Sequence, residues 1–243
     1  MDLTTKYLGP SLRNPLVVSP SPLNEDLANL KHMEDAGADA IELNIYFVAA
    51  DPTISCSQVE KRYIRILNAV KSFISIPIAV KISPFFSSLA NMARQLDKAG
   101  AKALVLFNRF YQPEIFSETF ENAPRIQLST SQDLRLPLRW IALLYDRMKC
   151  DLAATSGIHQ ATDVAKVLMA GANVAMLCSV LLRHGIDQIT VLNRGLQRWM
   201  ENHGYHSVVE MRGVLSHKFC ISPTQFEREE YVRAFSNFKI TER

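Results

Sequence analysis

An α/β fold, with a parallel sheet inside and helices packed around it, is predicted by three observations. One phrase recurs three times, as Asp35-Ala36-Gly37-Ala38, Lys98-Ala99-Gly100-Ala101 and Met169-Ala170-Gly171-Ala172. Each copy follows a helical pattern and precedes a short apolar run: Ala40-Ile41-Glu42-Leu43, Ala103-Leu104-Val105-Leu106 and Val174-Ala175-Met176-Leu177. Glycine takes the left-handed helix cap at little cost, so the phrase reads as a helix end leading into a core strand. The runs are largely apolar, as in strands buried on both faces. Strand and helix patterns alternate six times along the chain, and right-handed crossovers turn that alternation into a parallel sheet.

In chain order, Tyr7 to Arg13 is short enough for a hairpin closing one end, and Asn14-Pro15-Leu16-Val17-Val18 opens the series of strands. Leu27, Leu30 and Met33, with Asn24 as N-cap, mark a first helix before the strand at Ala40–Leu43. Val59, Tyr63, Ile66, Leu67 and Val70 mark the next helix, followed by the strand Pro77-Ile78-Ala79-Val80. Leu89, Met92, Ala93 and Leu96 lead in the same way to Ala103–Leu106. From Arg109 to Asp133 the chain reads as a long loop, and such loops usually carry function. Leu138, Trp140, Ile141 and Leu144 precede the strand Asp151-Leu152-Ala153-Ala154, and Val164, Val167 and Leu168 precede Val174–Leu177. Ile189, Leu192, Leu196 and Trp199 form a last helix by their spacing. No low-complexity linker divides residues 1–243, which predicts one domain. A polar C-terminal extension is expected from about residue 203, with a short helix near Thr224 to Phe235.

Composition narrows the function. With 48% hydrophobic and 21% charged residues, the chain is neither a disordered segment nor a small disulfide scaffold. A net charge of +3 without a face-sized run of Lys and Arg gives no reason to expect nucleic acid. The longest uncharged apolar stretch, Val167 to Leu182, is interrupted by Gly171 and Asn173 and falls short of the roughly 20 residues of a membrane span. Met1 to Lys6 lacks the apolar core of a signal peptide. Cys56, Cys150, Cys178 and Cys220 are scattered without a CxxC pair, which fits thiols in a reducing cytoplasm.

Parallel α/β folds bind ligands beyond the carboxyl ends of their strands. Here those ends carry Ser19 and Ser21, Asn44, Lys81, Asn108, Ser156-Gly157 and Ser179. Thr155-Ser156-Gly157-Ile158 precedes a helix start at Thr162-Asp163, and Cys178-Ser179-Val180 precedes another turn; backbone N–H groups at such places bind anions. Lys81 has apolar strand neighbours, so its amine would be partly desolvated. It suits either a cation beside an electron-rich cofactor or the Schiff-base nucleophile of a lyase or aldolase; a lysine snorkelling to the rim is the plain alternative. His203, His206, His217 and Cys220 have ligand types that suit zinc, but surface histidines explain them better, and no metal site is assigned. Asp163 reads as a helix-start charge.

Several motifs fall in the order of a known family: Asn14-Pro15-Leu16, Glu42-Leu43-Asn44, Val80-Lys81-Ile82-Ser83-Pro84-Phe85, Val105-Leu106-Phe107-Asn108, Thr155-Ser156-Gly157-Ile158, Cys178-Ser179 and Val209-Glu210-Met211-Arg212-Gly213. Together they resemble the dihydroorotate dehydrogenase family, particularly its cytosolic branch, over nearly the whole chain. The resemblance implies a TIM-type (β/α)8 barrel that holds FMN and passes a hydride from a dihydropyrimidine-like small molecule to it, in pyrimidine biosynthesis. It places Lys81 near the flavin ring and Asn44 at the flavin and substrate site, with Asn108 as a further polar contact. Ser156-Gly157 and Cys178-Ser179 become the phosphate turns, and Ser19-Pro20-Ser21 lies against the flavin.

The chain also departs from that pattern. Six strand–helix units stand where the family has eight, because the helix ending at Gly37 runs directly into Ile41-Glu42-Leu43-Asn44. The second and third units are absent, a loss of roughly 60 residues at about 30 per unit. Phe47 stands at the position of the catalytic base and cannot take a proton, and Pro20 removes an N–H from the first flavin-facing loop. These departures predict an open or distorted barrel of about six units that pairs as a homodimer through its exposed edges. They also give a second reading, a non-catalytic remnant of the family.

Overall fold

The structure, a computed structural model, describes residues 1–18, 35, 40–112, 114–116, 121–123 and 127–220. Ser19, Pro20, Ser21, the helix expected around Leu27 to Met33 and the helix expected near Thr224 to Phe235 lie outside the described residues. The expected N-terminal hairpin is present: β1 (Thr5–Lys6) pairs antiparallel with β2 (Ser11–Leu12). Six strands follow the apolar runs, at β3 (Leu16–Val18), β4 (Ile41–Asn44), β5 (Ile78–Ile82), β6 (Ala103–Leu106), β9 (Asp151–Thr155) and β10 (Val174–Leu177). The stretch read as one long loop contains a small separate hairpin, β7 (Glu114–Phe116) with β8 (Glu121–Ala123). Its three-residue strands contain no apolar run long enough to mark them as strands.

The described residues also form helices α1 (Cys56–Lys71), α2 (Leu89–Lys98), α3 (Arg135–Leu144), α4 (Ala161–Ala170), α5 (Ser179–His184), α6 (Gln188–Asn202) and α7 (Val208–Met211). α1 starts at a capping box in which Ser55 and Gln58 satisfy each other's backbone. The apolar faces of the longer helices cover the sheet: Tyr63, Leu67 and Val70 from α1, Leu89, Met92, Ala93 and Leu96 from α2, and Ile141 and Leu144 from α3 are buried.

All six main strands are parallel, in the order β3-β10-β9-β6-β5-β4. Among the described strands, β3 and β4 follow each other along the chain yet occupy opposite edges of the curled sheet and do not pair. With six described parallel strands this is a truncated TIM-type barrel, and its two edges flank the place where the second and third units are absent from the sequence. No helix among the described residues is long and apolar enough to cross a membrane.

Residues 203–220, the described part of the chain after Asn202, pack back onto the barrel. Val208 N donates to Asp2 O at 3.0 Å, Gly213 N to Leu168 O at 2.9 Å, and Leu215 N to Met169 O at 2.9 Å. The Tyr145 ring is wedged where a Cβ on either Gly171 or Gly213 would have to stand. The motif ending at Gly213 therefore has a packing reason independent of any ligand.

Candidate functional site

Parallel strands put all six carboxyl ends on one rim, and register decides which residues share a level there. Side chains alternate between the two faces of a strand. One row of Cα partners on the inner face runs Glu42–Ala79–Ala103–Asp151, and the row nearer the rim runs Asn44–Lys81–Val105–Ala153–Val174. Ala79 and Ala103 leave a space that the N-terminal hairpin fills. Tyr7 is buried there with Ala79, Ala103, Val105, Ala153, Val174 and Met176. Burial drives its phenol far above the ordinary range, and the negative charges of Glu42 and Asp151 push it further. Its hydroxyl has no hydrogen-bond partner among the described residues.

Asp151 and Asn173 hold this floor in place. Asp151 accepts from Leu8 N at 2.8 Å and from Asn173 Nδ2 at 2.9 Å, while Asn173 Nδ2 also donates to Lys6 O at 2.9 Å. Asn173, which the sequence marks only as a break in an apolar run, is thus the hub that fastens the hairpin to the barrel.

Above that floor, Lys81 Nζ lies 3.4 Å from Glu42 Oε1, with the two side chains 12% and 8% exposed. Burial holds the Glu42 carboxyl above its ordinary range, and the Lys81 charge offsets only part of that rise. An ammonium in an ion pair attacks a carbonyl only after it has given up a proton. Asn44 is exposed at the mouth. Asn108 is buried, and its Nδ2 donates to Ile45 O at 2.9 Å, which locks the loop after β4 to the loop after β6.

Ser156 and Gly157 both have φ of +75°. A Cβ on Gly157 would collide with the backbone of Leu134, so glycine is required there twice over. Ser156 instead carries the strain of a non-glycine residue in the left-handed region. Ser156→Gly is expected to raise the unfolding free energy by about 1 kcal/mol in urea denaturation; a loss of similar size would mean that the serine side chain makes a contact worth more than its backbone strain.

Cys178 is exposed just before α5. The N–H groups of Gly157, Ile158, Ser179 and Val180 find no acceptor among the described residues. Two adjacent turns with such donors fit an anion such as a phosphate. Across them lies a strap of residues 127–130 that sequence reasoning missed. Ser129 N donates to Ser179 Oγ at 3.1 Å, Ser129 Oγ meets His159 Nε2 at 3.2 Å, Arg109 Nη1 donates to Gln127 O at 2.8 Å, and Arg183 Nη2 donates to Leu128 O at 3.3 Å. Partners 18 to 55 residues apart leave no local pattern to find.

Burial, reinforced by the charge of Arg183, holds the His159 imidazole below its ordinary range. The unfolded chain then binds the extra proton, so this stabilisation is complete above about pH 6.5 and is lost as pH falls through the lower folded value. His159→Gln is expected to flatten that part of the acid branch of a stability–pH curve. An unchanged slope between mildly alkaline and mildly acidic urea titrations would refute it.

Phe47, which the resemblance sets at the base position, turns its ring under the Arg62 guanidinium, 4.1 Å from Cζ to the ring centre. It lines a 440 Å³ cavity together with Val48, Ala49, Tyr63, Phe85 and Phe110. Asn108 and Ser156 instead share a second cavity of 290 Å³ with Arg109, Phe110 and Asp133. The larger cavity lies outside the inner rows, so its size does not make it the site. Tyr46 caps this region, its hydroxyl accepting from Tyr111 N at 3.1 Å and its ring 4.7 Å from that of Phe110.

The other polar residues singled out along the chain have structural partners. Asp163 is buried and accepts from His159 N and Gln160 N, both at 3.1 Å, at the start of α4. His203 Nδ1 lies 2.7 Å from Trp199 O, and His217 sits beside Arg147. Among the described residues, no three His, Cys, Asp or Glu side chains are grouped to hold a metal ion.

A curled, open parallel sheet with helices outside and polar groups at its carboxyl rim defines a truncated TIM-type α/β barrel. The chain belongs to the dihydroorotate dehydrogenase family, whose model matches residues 5–200. It is similar to catalytic subunits of dihydroorotate dehydrogenase B (NAD(+)). The one from Methanothermobacter thermautotrophicus is 25% identical, over 78% of this chain and 65% of that protein. The one from Saccharolobus solfataricus is 30% identical, over 57% of this chain and 49% of that protein. The one from Thermoplasma acidophilum is 26% identical, over 78% of this chain and 64% of that protein. The chain thus spans 49% to 65% of the length of these relatives.

Proposed function

We propose that this chain is an FMN-binding, oxidoreductase-type barrel for a dihydropyrimidine-like small molecule, in which the proton-abstracting position has been lost. The observation that carries the reading is one rim bearing both a largely buried, ion-paired Lys81 and two adjacent turns whose N–H groups find no acceptor among the described residues. FMN, when bound, supplies an acceptor for a hydride. The chain supplies the surroundings. Gly157, Ile158, Ser179 and Val180 offer N–H donors suited to a phosphate. The Lys81 ammonium offers positive charge suited to an electron-rich ring, and Asn44 offers a donor and an acceptor at the mouth.

Proton removal is the missing part. Phe47 lies under Arg62 and has no atom that accepts a proton, an observation that favours the second reading, a non-catalytic remnant that keeps its ligand. The test is to load the purified chain with FMN, wash it and record the visible spectrum, then add dihydroorotate without oxygen. Retained flavin bands that dihydroorotate does not bleach are the expected result. A colourless protein would overturn FMN binding, and rapid bleaching would overturn the loss of the base.

The reading includes a homodimer, because β3 and β4 each pair on one side only among the described strands and open parallel edges invite association. Light scattering is expected to give twice the chain mass; a monomer at working concentration would refute it. The free thiols suit the cytoplasm, where cell fractionation should recover the protein.

A further inference from the structure

We propose that Glu42 is the positioning residue for Lys81: it holds the Lys81 ammonium against the inner wall, and through it tunes how tightly a flavin is held without touching the flavin. The first half stands on the geometry of this chain alone, and the second rests on the FMN reading above.

A lysine head on a flexible four-carbon stem moves to water when nothing holds it. At the open mouth of a truncated barrel water is close, yet the Lys81 side chain is only 12% exposed. Register explains which group restrains it. Lys81 is the Cα partner of Asn44, so Glu42, two residues earlier on β4, is its diagonal neighbour on the same face, within reach of long side chains. Ala79 stands directly opposite Glu42 and is too small to come between them.

Two carboxylates border this inner wall, and of the two only Glu42 serves Lys81. Asp151, at the far end of the row, accepts from Leu8 N and Asn173 Nδ2. Tyr7 packs between these positions, with a phenol that stays protonated and bears no charge. In the sequence Glu42 stands only as part of a strand motif, since the identity of its partner depends on inter-strand register.

The test uses the full chain with Glu42→Gln, Lys81→Met and the double variant. In protein labelled with ¹⁵N-lysine, Lys81→Met identifies the Lys81 Nζ resonance. Glu42→Gln is expected to move that resonance into the envelope of exposed lysines, and Glu42→Asp to recover it in part. If Glu42→Gln does not fold, Glu42→Asp is read alone, and an intermediate resonance is the expected result. A Lys81 signal indifferent to position 42 would overturn the positioning role.

FMN affinity, read by quenching of flavin fluorescence, is the second arm. Glu42→Gln and Lys81→Met should each weaken binding by about tenfold, and the double variant should be no weaker than Lys81→Met. Wild-type affinity in Glu42→Gln, or additive losses, would overturn the tuning role. A wild-type chain that ignores FMN would overturn the functional reading and the tuning with it, while the Lys81 resonance still decides the positioning.

Discussion

Tyr7→Ala is expected to lower the unfolding free energy by about 3–5 kcal/mol, whereas Tyr7→Phe is expected to raise it by about 1 kcal/mol. The opposite signs follow from what each atom group does. The ring fills the barrel floor above Ala79 and Ala103, and the alanines and valines around it are too short to close the void that alanine would leave. The hydroxyl is buried without a partner among the described residues, near the negative charges of Glu42 and Asp151, so removing it relieves a desolvation cost. Urea denaturation of the three proteins measures both effects. Equal losses in Ala and Phe would mean that the hydroxyl, and not the ring, holds the hairpin in the barrel.

Gly157→Ala is expected to cost about 3 kcal/mol and, under the proposed function, to abolish retention of FMN. Two costs combine: a methyl group at φ +75° is strained, and it would occupy space held by the backbone of Asp133 and Leu134, which cannot swing aside as a side chain can. Gly204→Ala is the control, because it has φ of +73° but nothing within 4 Å of the added atom; its loss should be about 1 kcal/mol. Similar losses at both positions would show that backbone conformation alone accounts for the effect, and that the approach of Leu134 is immaterial.

Much of the architecture is local and therefore legible. Each of the six strands of the main described sheet overlaps an apolar run picked out by composition and spacing, and α1, α2, α3, α4 and α6 follow the spacing of their buried residues. Gly100 and Gly171, read as helix stops, have φ of +94° and +123°. The rim positions Asn44, Lys81, Asn108, Ser156 and Ser179 could be located because a strand end is a local feature. What each of them touches could not. Asn108 proves to be bound to Ile45 O, and Ser179 to Ser129 N, while Ser19 and Ser21 lie outside the described residues.

By itself, then, the sequence determined a parallel α/β chain of six strand–helix units, its family, and the chemistry available at each strand end. Those properties depend on residue spacing, glycine caps and the chemistry of single side chains. Tertiary structure alone decided that β3 and β4 take opposite edges of the described sheet, that Tyr7 plugs its floor, that Glu42 is the partner of Lys81, and that residues 127–130 cross the two turns. Each of these depends on sheet order, on inter-strand register or on contacts between residues far apart in the chain. A shift of one residue in register turns a strand's side chains to the opposite face, and local pattern carries no information about which strand lies next to which.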